Sequence, residues 1–169
     1  LVTGGSQTNT STTGFVSAEL YDPITGVFTN TGNLNYPRYL HSATLLNDGT
    51  VLIIGGWNDR RKVTTLELYN PSTGLFTILA NSSCQSSNSG YSILLADKNV
   101  FIADNLYPIS LQIFDLILNN CSTINQSLYN GISDFSIASL KDGRVLLIGG
   151  VIEASSTYPD APTTFYSRK

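Results

Sequence analysis

His41–Gly56 reads HSATLLNDGTVLIIGG, and the same phrase returns twice. At Gly90–Asn105 it is GYSILLADKNVFIADN, and at Phe135–Gly150 it is FSIASLKDGRVLLIGG. The opening LVTGG, ending on Gly4 and Gly5, matches the tail of the phrase. A second phrase recurs in step: SAELYDPITGVFT at Ser17–Thr29, TTLELYNPSTGLFT at Thr64–Thr77 and SLQIFDLILNNCS at Ser110–Ser122. Equivalent positions lie 51, 49 and 45 residues apart, from Gly4 to Gly55, to Asp104, to Gly149. A recurrence at this spacing means one supersecondary unit stacked on copies of itself.

In the best-kept copy the unit predicts four strands, Ser42–Leu46, Val51–Ile54, Thr64–Tyr69 and Leu75–Leu79. Each is short, β-rich and bounded by turn residues, and helical periodicity is absent throughout. Asn47-Asp48-Gly49 and Lys141-Asp142-Gly143 each join a first strand to a second. Asp-Gly between apolar runs is a tight-hairpin signal, because the turn needs positive φ. Asp22-Pro23-Ile24-Thr25-Gly26 and Asn70-Pro71-Ser72-Thr73-Gly74 join third strands to fourth. There Asp or Asn opens the turn, Pro presets φ and Gly closes it. In the third copy this turn is Asp115-Leu116-Ile117-Leu118-Asn119, where Asn takes the left-handed position and the turn is expected to survive.

Four antiparallel strands per unit, with a double glycine closing the second, resembles the kelch-repeat β-propeller family. The residues that carry the resemblance are four apolar residues before a glycine pair, Val51–Gly56 and Val145–Gly150, and a Tyr followed seven residues later by an aromatic. These pairs are Tyr21/Phe28 and Tyr69/Phe76, and the structural repeat positions include Gly4, Gly5, Gly55, Gly56, Gly149 and Gly150. The third copy departs, with Phe114/Cys121 for the aromatic pair and Asp104-Asn105 for the glycines, so its blade is expected to be the least well packed. The period and the missing Trp-Asp signature set WD-type propellers second. The fold class is all-β, a partial kelch-type propeller of four-stranded antiparallel blades. Its expected divisions are an incomplete blade at 1–30, a blade at 38–80, a degenerate blade at 88–125 and an incomplete blade at 132–169. That is about three and a half blades against ~4–8 in closed propellers, so the chain reads as a fragment.

Composition narrows function by exclusion. The 9 basic and 12 acidic residues of 169 give a net charge of −3 and a pI near 4.9, which argues against nucleic acid as a partner. No apolar run approaches the ~20 residues of a membrane span. Only 12% of residues are charged, a lean toward an extracellular setting with the cytoplasm as alternative. Four Asn-x-Ser/Thr triplets, at Asn9, Asn81, Asn120 and Asn125, are what 15 Asn and 38 Ser plus Thr give by chance, about three. By count they are no sign of secretion. Cys84 and Cys121 are too few for a disulfide framework. With Cys121 aligned to Phe76 and Cys84 beyond the preceding fourth strand, they are expected at opposite ends of their blades, ~13 Å apart along a strand. Two free thiols are the expectation, since a disulfide needs Cα atoms within ~7 Å.

No catalytic constellation is expected. His41 neighbours Ser42, but adjacent strand residues point to opposite faces, so His41 reads as a packing or loop-tethering group. One His and two Cys cannot supply the convergent ligands of a metal site, and no cofactor is implied. Galactose-oxidase-like copper enzymes share the propeller type, so the non-catalytic portion of a secreted carbohydrate-acting enzyme stands as the alternative reading. The resemblance implies first a binding or scaffold module with a protein partner, and second a carbohydrate ligand. Loops entering first strands and leaving second strands share one end, and they vary in length and chemistry. Variable loops on a rigid frame are where recognition sits. The candidate binding set is Arg38, Tyr39, Trp57, Asn58, Arg60 and Arg61. Trp57 is open to two readings, a packing lid or an interface anchor, and Asp59-Arg60-Arg61-Lys62 reads either as a solvated tip or as the rim of that face.

Overall fold

Strand-forming runs punctuated by Asp, Asn and Gly become a series of antiparallel sheets. The computed structural model describes residues 1–8, 12–79, 84, 90–104, 109–124, 132–133, 135–152 and 164–166. The first sheet is β1 (Val2–Thr3), β2 (Ala18–Asp22) and β3 (Val27–Asn30), in that order. The second is β4 (Ser42–Leu45), β5 (Val51–Ile54), β8 (Leu66–Asn70) and β9 (Leu75–Leu79), interrupted by a separate hairpin of β6 (Trp57–Asn58) and β7 (Arg61–Lys62). The third is β10 (Tyr91–Leu94), β11 (Val100–Ala103), β12 (Leu111–Asp115) and β13 (Asn120–Thr123). The fourth is β15 (Ser136–Ser139), β16 (Val145–Ile148) and β18 (Thr164–Tyr166), beside a two-stranded pair of β14 (Ile132–Ser133) and β17 (Val151–Ile152). Three of the four strands expected in the best copy coincide with observed ones to within a residue. The exception is the third, which starts at Leu66 rather than Thr64. The β6–β7 hairpin falls where only a loop was expected.

The turns repeat one device. Asp48, Asp97 and Asp142 each accept a hydrogen bond from the backbone N–H two residues on, at 3.0–3.1 Å. Asp22, Asn70 and Asp115 do the same between third and fourth strands, at 2.8–2.9 Å. Gly49 and Gly143 take the left-handed position of the first kind of turn, with φ of 84° and 85°. Lys98 takes it in the third unit, at 71°, and Asn119 stands in for Gly26 and Gly74 at 52°. The turn at Asp115–Asn119 thus survives without its Pro, as expected.

The sheets stack face to face. Ala18, Ile53, Tyr69 and Phe76 fill the space between the first and second sheets. Leu52, Ile54, Leu66, Val100, Ile102 and Phe114 fill that between the second and third. Phe101, Ala103, Leu111, Phe135, Val145 and Leu147 fill that between the third and fourth. Alternate residues of β5 therefore serve opposite faces, which is why a second strand is a continuous apolar run rather than an alternating one. The first strands β4, β10 and β15 run beside one another, and the hydroxyls of Ser42, Thr44 and Ser92 hydrogen-bond there.

Two expectations fail here. The third sheet is not the least well packed: all four residues of β11 are buried, whereas Tyr21 and Phe28 of the better-kept first unit are 49% and 52% exposed. Burial follows from what lies on either side of a sheet, and the third has a neighbour on both. Nor are the thiols free. Cys84 and Cys121 form a disulfide with Cα atoms 5.0 Å apart. The five-residue step from Leu79 to Cys84 can cover ~17 Å, the length of a strand. Cys84 thus reaches the core between the second and third sheets, beside Leu66 and Phe114.

Candidate functional site

Arg38 organises one end of the first two sheets. Its side chain is fully buried and ion-paired with Glu67, also fully buried, at 2.6 Å. The same guanidinium donates to the carbonyls of Gly55 and Thr65, at 2.8 and 2.9 Å, and to Thr65 Oγ1 at 3.0 Å. Glu67 in turn accepts from the backbone N–H groups of Asn35 and Tyr36, at 2.7 and 3.1 Å, and from the Asn35 amide at 2.9 Å. These bonds offset most of the desolvation of the buried pair, and the Arg38 Nε alone of the guanidinium nitrogens finds no partner among the described residues. The Arg38 backbone faces the other sheet: its carbonyl accepts from Gly5 N at 2.9 Å, and its N–H donates to Phe15 O at 3.2 Å. Burial lowers the Arg38 pKa from its ordinary value, and Glu67 opposes that shift.

Arg38 is therefore a correction to the sequence-derived binding set. Its side chain is spent inside the molecule and offers nothing to a partner. The double glycines are shaped by this same segment. Gly56, at φ 97°, lies so close to it that an added Cβ would meet Tyr39 O at 2.8 Å and the Cβ of His41 at 3.1 Å. A Cβ on Gly4 would run into Arg38 O and His41 Cε1. His41 thus packs against glycines of two units. Its pKa is pushed down to about 4, first by burial and then by the nearby Arg38 charge, and its buried Nδ1 has no hydrogen-bond partner among the described residues.

Above this base stands the β6–β7 hairpin. Its two turn residues, Asp59 and Arg60, both have left-handed φ, 49° and 61°. Paired left-handed residues make the tight two-residue turn whose twist suits a hairpin. Three sets of bonds hold it. Tyr39 and Trp57 exchange backbone hydrogen bonds at 3.0 and 2.8 Å. Asn58 Oδ1 accepts from Gly14 N at 2.9 Å, and Thr13 Oγ1 donates to Asp59 Oδ1 at 3.0 Å. Asp59 N donates to Thr12 O. The loop leaving the first sheet and the hairpin leaving the second are thereby locked together.

The remaining members of the set separate by role. Arg60 and Arg61 are exposed, and Tyr39, Trp57 and Asn58 are half-buried. Asn58 is a brace rather than a free group. Neither Arg60 nor Arg61 makes an ion pair among the described residues. Beneath the hairpin a cleft of about 720 Å³ is lined by Tyr36, Asn58, Asp59, Arg61, Lys62 and Thr64, with Val63 and Thr65. Tyr36 and Thr64 were missed from sequence. Tyr36 stands two residues before Arg38, and the carboxylate that positions its N–H lies 31 residues away, so no local signal marks it.

A second cleft, of about 370 Å³, opens at the turn end between the second and third sheets. Leu46, Leu68, Leu94 and Leu116 form its apolar lining, and Asp48, Asp97 and Lys98 stand at it. Among the described residues no group of three or more His, Cys, Asp or Glu is placed to hold a metal ion. Among the same residues no helix is long and apolar enough to cross a membrane.

Comparison with known proteins adds one match: residues 37–83 fit the Kelch motif. No curated protein matches the chain. The matched segment is the one that carries Arg38, the Gly55-Gly56 pair, Glu67 and the Tyr69–Phe76 pair, whose rings pack at a tilt of 44° with centroids 4.7 Å apart. The chain carries a Kelch motif, and its four-stranded antiparallel sheets are those of a partial kelch-type β-propeller.

Proposed function

We propose that the chain is a protein-binding module whose contact surface is the β6–β7 hairpin and the cleft beside it. Kelch propellers commonly bind proteins, and the residues assigned here are Tyr36, Tyr39, Trp57, Arg60 and Arg61. The observation that carries the reading is the braced hairpin tip, which exposes Arg60 and Arg61 without an ion pair among the described residues and sets Arg61 at the cleft. Exposed cations on a mobile loop lose rotamer and backbone freedom when they bind. A tip locked by the neighbouring sheet has already lost the backbone part. Arg and aromatic side chains are the usual anchors of protein interfaces. The chain as a whole is acidic, so this basic tip attracts a partner surface bearing carboxylates, by complementarity of charge.

The test uses Trp57, the one tryptophan in the chain, as its reporter. Titration with polyglutamate at low salt is expected to change Trp57 fluorescence, and polylysine is expected not to. Arg60→Ala with Arg61→Ala is expected to weaken the polyglutamate response at least tenfold with the melting temperature nearly unchanged. Asp48→Ala and Ser72→Ala, at the opposite end, are the controls. A response lost with those two but kept in the arginine variant would place recognition at the turn end.

A further inference from the structure

We propose that Asn120 is an N-glycan acceptor, carried on the outer edge of the third sheet. The triplet Asn120-Cys121-Ser122 has the acceptor pattern. One triplet is a chance-level match, and three features of the structure single this one out. Asn120 opens β13, the outermost strand of its sheet, and both Asn120 and Ser122 are exposed. Residues two apart on a strand share a face, so the carboxamide and the hydroxyl that define the acceptor stand together on the surface. Cys121 between them turns the other way, into the disulfide with Cys84.

The second feature is that disulfide. It forms and persists in an oxidising compartment, the setting in which secretory chains are also glycosylated. The third is a contrast between units. Asn120 replaces Val27 and Leu75 of the first and second units, both more than half exposed apolar residues at the start of a fourth strand. Where the other units leave apolar surface at the sheet edge, the third has a modifiable amide. A glycan there covers unpaired backbone of an edge strand, a feature proteins otherwise guard by charge or bulges. The other triplets, at Asn9, Asn81 and Asn125, lie outside the described residues.

The step balances without an oxidant. The Asn120 amide nitrogen forms a bond to the anomeric carbon of a lipid-diphosphate-linked oligosaccharide. The bond from that carbon to the diphosphate oxygen breaks, the lipid diphosphate leaves, and the amide gives up one proton. Closing the disulfide stiffens the triplet, so transfer precedes oxidation of Cys121.

The full chain is expressed behind a secretory leader in a eukaryotic cell. It is then treated with the amidase that releases N-glycans, in heavy-oxygen water, and peptides are read by mass spectrometry. Position 120 is expected as isotopically labelled Asp in most molecules. Asn120→Gln and Ser122→Ala are each expected to remove the mass of one glycan. Cys84→Ala, which leaves the triplet intact and blocks closure, is expected to keep or raise occupancy. An unlabelled Asn120 in chains that carry the Cys84–Cys121 disulfide overturns the proposal, whatever happens at the other three triplets and in the Cys84→Ala chain.

Discussion

The second and third sheets occupy equivalent places in the repeat and are held by different chemistry. In the second, Tyr69 and Phe76 face each other across β8 and β9 and their rings pack at a tilt. In the third, Phe114 and Cys121 face each other across β12 and β13, and Cys121 is bonded to Cys84 where the second has a ring-to-ring contact. In the second, Glu67 is buried as a charge because Arg38 reaches it. In the third, the equivalent residue is Gln112, also buried, and the position equivalent to Arg38 is Ser87. Loss of the arginine and loss of the carboxylate go together, as they must, because a lone buried charge is far costlier than a buried amide. A repeat unit thus drifts by linked pairs of positions rather than by single ones, and the frame survives each exchange.

The sharpest way to break this comparison is to separate such a pair. Arg38→Ala leaves Glu67 buried without its cation and is expected to cost about 3–5 kcal/mol in denaturant unfolding. Arg38→Ser with Glu67→Gln, which copies the third unit, is expected to recover a large part of that loss. A single substitution costing under about 1 kcal/mol would show that the pair is not what holds the segment, since that is the range of an exposed ion pair.

The disulfide comes next. Replacing Cys84 and Cys121 by Ala opens a loop of 37 residues, and is expected to cost about 2–4 kcal/mol. The measurement is thermal unfolding with and without reductant, with the Ala variant insensitive to reductant.

His41 supplies the third. Its folded-state pKa is about 4 against 6.5 for the ordinary group. The unfolded chain therefore binds a proton that the folded chain refuses as the pH falls. Stability is full above pH 6.5 and declines as the pH drops toward 4, by about 2 kcal/mol after allowance for residual exposure. His41→Phe, the residue that the fourth unit carries at Phe135, is expected to flatten the curve across that window. A slope unchanged by the substitution would assign the titration elsewhere.

The smallest effect lies at Lys98, where the third unit holds a left-handed φ without glycine. Lys98→Gly is expected to stabilise by about 0.5 kcal/mol, the left-handed strain relieved less the added freedom of the unfolded chain.

What could be read from the chain followed from local chemistry. The tight turns at Asp48-Gly49 and Asn70–Gly74, the apolar run Val51–Ile54 and the Tyr69/Phe76 spacing are each specified within a few residues, and the sheets follow from their recurrence. What could not be read depended on distant partners. Arg38 looks like a surface arginine in its own neighbourhood, and only Glu67, 29 residues on, makes it a core residue. The hairpin at Trp57–Lys62 has no glycine to announce its turn, because its left-handed residues are Asp59 and Arg60. Cys84 follows a Ser-rich stretch with no strand pattern, so its depth was invisible until the second and third sheets were in place.

The crosslink also has a mechanical side. Three of the four strands of the third sheet, β10, β11 and β12, lie between Cys84 and Cys121. Force applied to the two ends of the chain passes through the sulfur bridge and bypasses that segment. The pulled chain falls short of its full contour by about 130 Å, at ~3.5 Å for each bypassed residue. The unit whose sequence has drifted furthest is the one that tension cannot unravel.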